Sequence, residues 1–298
     1  MSDLVQLIIS ALSQGLIYVL LALAYNITYS TSKTLNLSVG SLLMVGGVIG
    51  VSLTMDKATG TSYGRNYFIP VILVLIVGGI LGALIYKVAI EQSIKLKLPF
   101  AAVLATLAVA GILRNFTERV WGTEDIKMFS PFGNEALRVF GFGVFPQELF
   151  IIFLGVAIVA GLEFFKKHSI LGRAVQAVSE DAETASLMGI NQKFIIVFSF
   201  CLSAALAALS GLIVGPITMV SPTMGMVIGI KAYAVSIIGG LQSGWGTLAG
   251  GMILALSELL TARYVSTGYK DMTGFLILVL IVLFRPNGLF GGAEGRKV

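Results

Sequence analysis

Residues 194–230, FIIVFSFCLSAALAALSGLIVGPITMVSPTMGMVIGI, contain no charged side chain. As one helix this stretch would be roughly 55 Å long at 1.5 Å per residue, well beyond a hydrocarbon core of about 30 Å. It must therefore break. Gly215-Pro216 and Ser221-Pro222 mark the place, because proline lacks the amide proton and clashes with the preceding turn. Two apolar helices around a proline-marked break is a membrane pattern, and the rest of the chain extends it.

The uncharged stretches 4–32, 34–55 and 66–86 are each long enough for one span. Stretches 98–113 and 149–162 are shorter and need their flanks, whose charged ends reach the interface. Residues 232–257 are interrupted by the glycine-rich 239–246, and 272–284 borrows residues 267–268. The reading is an all-α polytopic transmembrane helical bundle of about eight or nine spans, one transmembrane domain over 1–298. The interval 114–148, with Trp121, Pro131, Gly133 and Pro146, reads as an external surface loop with room for a short helix.

Composition agrees. Of 298 residues, 56% are hydrophobic and 12% charged, and the mean hydropathy is +0.94, whereas soluble domains carry about 25% charged residues. A soluble enzyme is excluded. The net charge of +5 is scattered between apolar runs, which suits membrane-flanking anchors and not nucleic acid. A lone cysteine, Cys201, and a lone histidine, His168, offer no disulfide framework, metal site or catalytic set. No phosphate-binding G-x-x-x-x-G-K-[ST] is present, so any ATP hydrolysis belongs to another subunit. The first apolar run is too long for a cleavable signal peptide and lacks a basic start.

Lys and Arg set the expected sidedness. Lys33 and the segments 87–97, 166–193 and 285–298 fall on one side and outnumber the basic residues opposite. The positive-inside rule places that side in the cytoplasm, the N-terminus outside and the C-terminus inside. Glycine pairs four residues apart, such as Gly46/Gly50, Gly78/Gly82, Gly211/Gly215 and Gly225/Gly229, read as close helix packing in lipid.

Three segments can carry chemistry. In 172–191, GRAVQAVSEDAETASLMGIN, the residues Ala174, Val178, Ala182, Ala185 and Met188 recur at helical spacing. Glu180, Asp181 and Glu183 face elsewhere, and Gly189 with Ile190 after it has the form of a C-terminal cap. One short amphipathic helix between two spans is expected. Its acids disfavour a helix resting on anionic lipid and favour a knob offered to a soluble partner. The second feature is Lys231 with Glu258. Lys231 lies roughly 13 Å below the outer break and Glu258 roughly 9 Å below Tyr264. Charges at similar depth on consecutive spans are expected to pair, as a packing clamp or as polar sites on a translocation path. The third is Thr34–Gly40, where Asn36, Ser38 and Gly40 stand at a span entrance, as helix caps or as a broken helix on a solute path.

The segment Gly172-Arg173-Ala174, Glu180-Asp181 and Ala185-Ser186-Leu187-Met188-Gly189-Ile190-Asn191 leads into the small-residue run Ala204–Gly211. With Leu35-Asn36-Leu37 and Gly40, Gly225-Met226, Lys231-Ala232, Gly239-Gly240, Gly250-Gly251 and Tyr269-Lys270-Asp271, it resembles the branched-chain amino-acid ABC importer permease family, of the H type of high-affinity permease. The ending Arg285-Pro286-Asn287-Gly288-Leu289-Phe290-Gly291 completes the resemblance, which runs nearly end to end. It implies a non-enzymatic permease subunit of the bacterial cell inner membrane, serving branched-chain or other hydrophobic amino acids. Implied partners are two ABC ATPase subunits, which hold the ATP and Mg, a second permease (a paralogue or a second copy), and a periplasmic substrate-binding protein. No cofactor is implied on this chain. Residues 172–191 would be the coupling segment: Arg173, Glu180, Asp181 and Glu183, then Ala185, Gly189, Ile190 and Asn191, with small Ala185 and Gly189 allowing close approach to an ATPase groove. One departure is Asn36-Leu37-Ser38-Val39-Gly40, where many members carry Asn-Phe-Ala-His-Gly. It leaves urea, short amides and other small organic solutes open as cargo. A stand-alone facilitator, with residues 172–191 merely lying on the membrane, is the alternative of another class.

Overall fold

A computed structural model describes residues 2–55, 67–95, 99–133, 135, 137–139 and 142–290. Lys97, Arg296 and Lys297 of the segments used above for sidedness, Lys57 and Arg65 among the basic residues opposite, and Gly291 of the terminal match lie outside the described residues. The helices are α1 (Ser2–Ser32), α2 (Val39–Thr54), α3 (Phe68–Ile85), α4 (Glu91–Lys95), α5 (Pro99–Trp121) and α6 (Pro146–His168). They continue as α7 (Ile170–Glu180), α8 (Ala182–Leu187), α9 (Gln192–Thr218), α10 (Met224–Gly239), α11 (Gly244–Tyr264) and α12 (Lys270–Phe284). Among the described residues, seven helices are long and apolar enough to cross a membrane, α3 and α4 counting as one rod through a π turn, and α2 and α10 are shorter apolar helices.

The long uncharged stretch breaks at Ser221-Pro222 but not at Gly215-Pro216. Pro216 lies inside α9, and the Leu212 carbonyl that its missing N–H leaves free accepts from the Tyr67 hydroxyl at 3.2 Å. α9 ends at Thr218, α10 starts at Met224, and Met219 between them takes φ +63°. α1 and α9 form the buried centre, while α5, α6 and α12 turn most of their apolar surface outward. Glycine permits the closest approaches. A Cβ on Gly46 would fall 1.8 Å from the Ala208 carbonyl oxygen, and one on Gly211 1.8 Å from that of Leu43. Dispersion contacts of this kind replace the hydrophobic drive that lipid removes.

The external interval departs from expectation. α5 runs on to Trp121, so Arg114 and Arg119 lie within a helix, and β1 (Leu137–Val139) pairs antiparallel with β2 (Phe142–Val144) where a short helix was expected. The loop also folds back on the bundle: Ile126 pairs with Val220 in the α9–α10 break, and Met128 is buried against Gly50 and Gly215.

Charge partners sort the two ends of the bundle. Glu91 of α4 meets Lys193 of α9 at 2.7 Å and Lys95 at 3.1 Å, and Lys33 shares a cavity with Ser179 to Ala182. Ser10 of α1 donates to Glu148 of α6 at 2.9 Å at the opposite end. The basic segments around Lys33, Lys95 and Lys193 therefore share one end with α7 and α8.

Candidate functional site

The segment 172–191 forms an elbow of two helices. The single helix expected over it is divided at Asp181, which is extended (φ −152°, ψ 106°). Its carboxylate accepts from the backbone N–H of Glu183 (3.0 Å) and Thr184 (3.1 Å) and from the Thr184 hydroxyl (2.7 Å). Aspartate favours such a cap over a helix interior. The apolar positions on either side keep four-residue spacing, so periodicity alone cannot reveal the break. Gly189 (φ +86°) closes α8 by a Schellman motif: Ile190 N–H donates to the Ala185 carbonyl at 3.1 Å, and Gly189 N–H to Ser186 at 3.0 Å. Asn191 then caps α9 by accepting from Phe194 N–H at 3.1 Å.

The expected outward role of Ala185 is corrected. Ala185 is buried with Val178 and Ile195, and Ala174, Ala182 and Ile190 pack around them. Its small side chain lets α8 sit on α7 and α9. The outward apolar residues are Leu187 and Met188, 87% and 81% exposed, so Met188 leaves the inward stripe assigned to it. Arg173, Glu180, Asp181, Glu183, Gly189 and Asn191 are exposed around them. The elbow offers an apolar tip rimmed by acids, on a base fixed by Ser169, which accepts from Gly172 N–H, and by Gly172, whose Cβ would strike the Phe165 carbonyl at 2.2 Å.

Lys231 and Glu258 are brought together in the bundle. Lys231 Nζ lies 2.9 Å from Glu258 Oε1 and 2.7 Å from Asp271 Oδ1 at the start of α12. Tyr18 of α1 donates to Glu258 Oε2 at 3.0 Å, and Gln14 donates to the Tyr18 hydroxyl at 2.6 Å. Lys270 reaches Gln14 Oε1 at 3.5 Å. Glu258 is fully buried and Lys231 is 9% exposed. Four helices thus share one polar cluster, as charge in an apolar bundle requires. A second buried set lies deeper: Asn26 of α1 donates to Thr247 of α11 at 2.7 Å and accepts from Ser236 of α10.

The Thr34–Gly40 entrance is a break between helices within the bundle. Lys33 takes φ +52°, and Thr34, Asn36 and Ser38 are buried outside any helix. Ser38 precedes α2 but makes no side-chain cap bond. Asn36 Oδ1 instead accepts from the N–H (3.2 Å) and hydroxyl (2.6 Å) of Ser38, a local turn. Gly40 presses on α10, where its Cβ would fall 2.3 Å from the Gly225 carbonyl oxygen.

A family model described as "Branched-chain amino acid transport system / permease component" matches residues 7–284. The chain belongs to this permease family. Among similar proteins are the high-affinity branched-chain amino acid transport system permease proteins LivH of Escherichia coli (strain K12) and BraD of Pseudomonas aeruginosa. LivH is 39% identical over 138 residues, 46% of this chain and 45% of that protein, and BraD 34% over 168 residues, 56% and 54%. The ribose import permease protein RbsC of Haemophilus influenzae is 32% identical over 128 residues, 40% of each. The chain spans about half the length of the curated relatives it matches. A solved structure titled PsaBC from Streptococcus pneumoniae in complex with Fab is 14% identical, has a TM-score of 0.50 and covers 94% of this chain and 92% of its own. That likeness concerns the fold. In this branched-chain permease family member, residue-by-residue reading missed Asp271, Tyr18 and Gln14 as partners of the buried pair. Asp271 stands at the edge of an apolar run and reads as an interfacial charge, and uncharged Gln14 and Tyr18 carry no signal that a charge lies beside them.

Proposed function

We propose that this chain is a transmembrane permease subunit of an ATP-driven importer for branched-chain or other hydrophobic amino acids. Substrate comes from a periplasmic binding protein, and separate ATPase subunits hold ATP and Mg. A second permease, a paralogue or another copy, completes the path. The elbow end, which carries the basic segments, faces the cytoplasm of a bacterial inner membrane, with the N-terminus outside and the C-terminus inside.

The observation that supports this best is the tip of the elbow. Leu187 and Met188 stand exposed on a short helix capped at both ends and seated on a buried apolar cluster. An apolar pair held rigidly in water at the charged end of a membrane bundle suits a groove on a soluble protein, and a rigid elbow passes displacement to the helices it joins. Arg173, Glu180, Glu183, Gly189 and Asn191 would border the contact, while Asp181, Ala185 and Ile190 hold its shape. The names of relatives that import ribose and fructose fit one architecture serving different solutes.

Gentle detergent purification from the native membrane, with mass spectrometry of co-purifying chains, tests the reading. Stoichiometric ATPase subunits are expected, and their loss on Leu187→Asp/Met188→Asp. A chain recovered alone that moves solute in vesicles without ATP would instead be a facilitator.

A further inference from the structure

A cavity of about 500 Å³ lies between α1, α2, α5 and α10, a size within the range of small-molecule sites, roughly 300–1,000 Å³. Leu107 of α5 and Met226 and Ile230 of α10 form apolar walls. Tyr25 and Tyr233, with ring centroids 5.6 Å apart and planes tilted by 59°, close one side. The floor is bare backbone, because the Gly40–Gly225 contact leaves no room for a Cβ on either residue. Two hydrogen bonds tie α5 to the broken segment and the first turn of α2 beside the cavity, Leu37 N–H to the Thr106 hydroxyl at 3.1 Å and the Ser41 hydroxyl to the Ala110 carbonyl at 3.3 Å.

Gly111 lines the same cavity for a different reason. A Cβ there would meet nothing within 4 Å. Glycine is a poor residue for a helix interior, and packing does not ask for it at this position. What its missing side chain leaves is open volume.

Arg114 is the charged residue on the cavity wall, about one helical turn beyond Gly111. Its Nε donates to Glu118 at 2.7 Å, and its terminal nitrogens make no hydrogen bond among the described residues. Glu118 balances the charge of Arg114, and the free edge of its guanidinium is a two-pronged donor that matches a further carboxylate. We infer that this cavity is a solute chamber for an amino acid with an apolar branched side chain. The free edge of Arg114 takes the carboxylate, the Tyr25–Tyr233 pair faces the ammonium, and Leu107, Met226 and Ile230 enclose the side chain. Leu107 and Met226 are 53% and 62% exposed, so the chamber is open on one flank. A zwitterion does not face hydrocarbon, and the second permease covers that flank in the assembled importer. The inference rests on the import reading above.

The test uses the assembled importer in vesicles, with binding protein, reading ATP-driven uptake of leucine and binding-protein-stimulated ATP hydrolysis. Gly111→Phe is expected to lower leucine uptake about tenfold or more while stimulated hydrolysis stays within about twofold of wild type. Arg114→Gln is expected to raise the KM for leucine by a similar factor, with partial rescue by Arg114→Lys. Undiminished leucine uptake in Gly111→Phe and Arg114→Gln overturns the chamber. So does loss of the second permease from the purified Gly111→Phe complex, which would make position 111 a subunit contact. Wild-type vesicles without ATP-driven leucine uptake overturn the import reading itself, and the chamber with it, before any variant is made.

Discussion

Asp271 Oδ1 lies 2.7 Å from Lys231 Nζ, closer than the 2.9 Å from that ammonium to the fully buried Glu258. The two carboxylates hold the cation from very different surroundings. The Asp271 side chain is 64% exposed and that of Glu258 1%. Solvent therefore compensates Asp271 when the lysine is lost, and nothing of comparable strength compensates Glu258.

Lys231→Leu alone is expected to destabilise by about 3–5 kcal/mol, because it strands a buried carboxylate. Lys231→Leu/Glu258→Leu should recover much of that loss, since paired removal leaves no orphan charge. Asp271→Asn, at an exposed partner, should cost about 1 kcal/mol or less. Thermal unfolding in detergent, with expression yield, checks all three. A double variant no better than the single would rule out the coupling.

Glycine substitutions should divide by what a Cβ meets. Gly46→Ala and Gly211→Ala each place a methyl 1.8 Å from a carbonyl oxygen across the α2–α9 contact and should cost about 1–3 kcal/mol or more as the helices separate. Gly111→Ala meets no neighbour within 4 Å and should gain up to about 1 kcal/mol of helix stability. Melting temperatures of the three variants in one detergent give the order.

Leu187→Asp/Met188→Asp should leave the melting temperature nearly unchanged, because both side chains face out, 87% and 81% exposed, and exposed changes usually fall within about 0.5 kcal/mol. Ala185→Trp should destabilise by about 1–3 kcal/mol and so lower the melting temperature, since the site is packed on Val178 and Ile195. Reading stability beside ATPase co-purification separates the contact from its support.

Gly189→Ala should cost about 1–2 kcal/mol, because φ +86° there is strained for any residue with a Cβ. Asp181→Ala should cost about 1 kcal/mol by releasing the two backbone donors that start α8. Both lesions act on the shape of the elbow, so ATP hydrolysis in the assembled complex should be less tightly linked to uptake even where all subunits co-purify. Uptake per ATP hydrolysed is the quantity to measure.

What the chain reveals before folding follows from the range of each interaction. The break beside Pro222 and the Gly189–Ile190 cap are local and stand where the residues require them, whereas Pro216 stays inside α9 because Tyr67 satisfies the carbonyl it frees. The depth of Lys231 and Glu258 could be counted along two helices, and the pair meets. Asp271 was hidden because its position depends on the packing of α12 against α10, which no short-range pattern records. Ala185 was misread because a small residue suits either side of a thin helix, and only Val178 and Ile195 from neighbouring elements decide which. The strand pair 137–139 and 142–144 stands where a short helix was expected because it is held by backbone pairing, to which side-chain periodicity is nearly blind.

The cluster around Glu258 holds two cations, Lys231 and Lys270, and two carboxylates, Glu258 and Asp271. With all four ionised, its formal charge is zero. One unbalanced charge carried across the bilayer would exchange about 2.3 kcal/mol with each 100 mV of membrane potential. A neutral cluster exchanges none, so helices α10, α11 and α12 can shift together without electrical work, and the cell's voltage neither drives nor resists their movement through these residues.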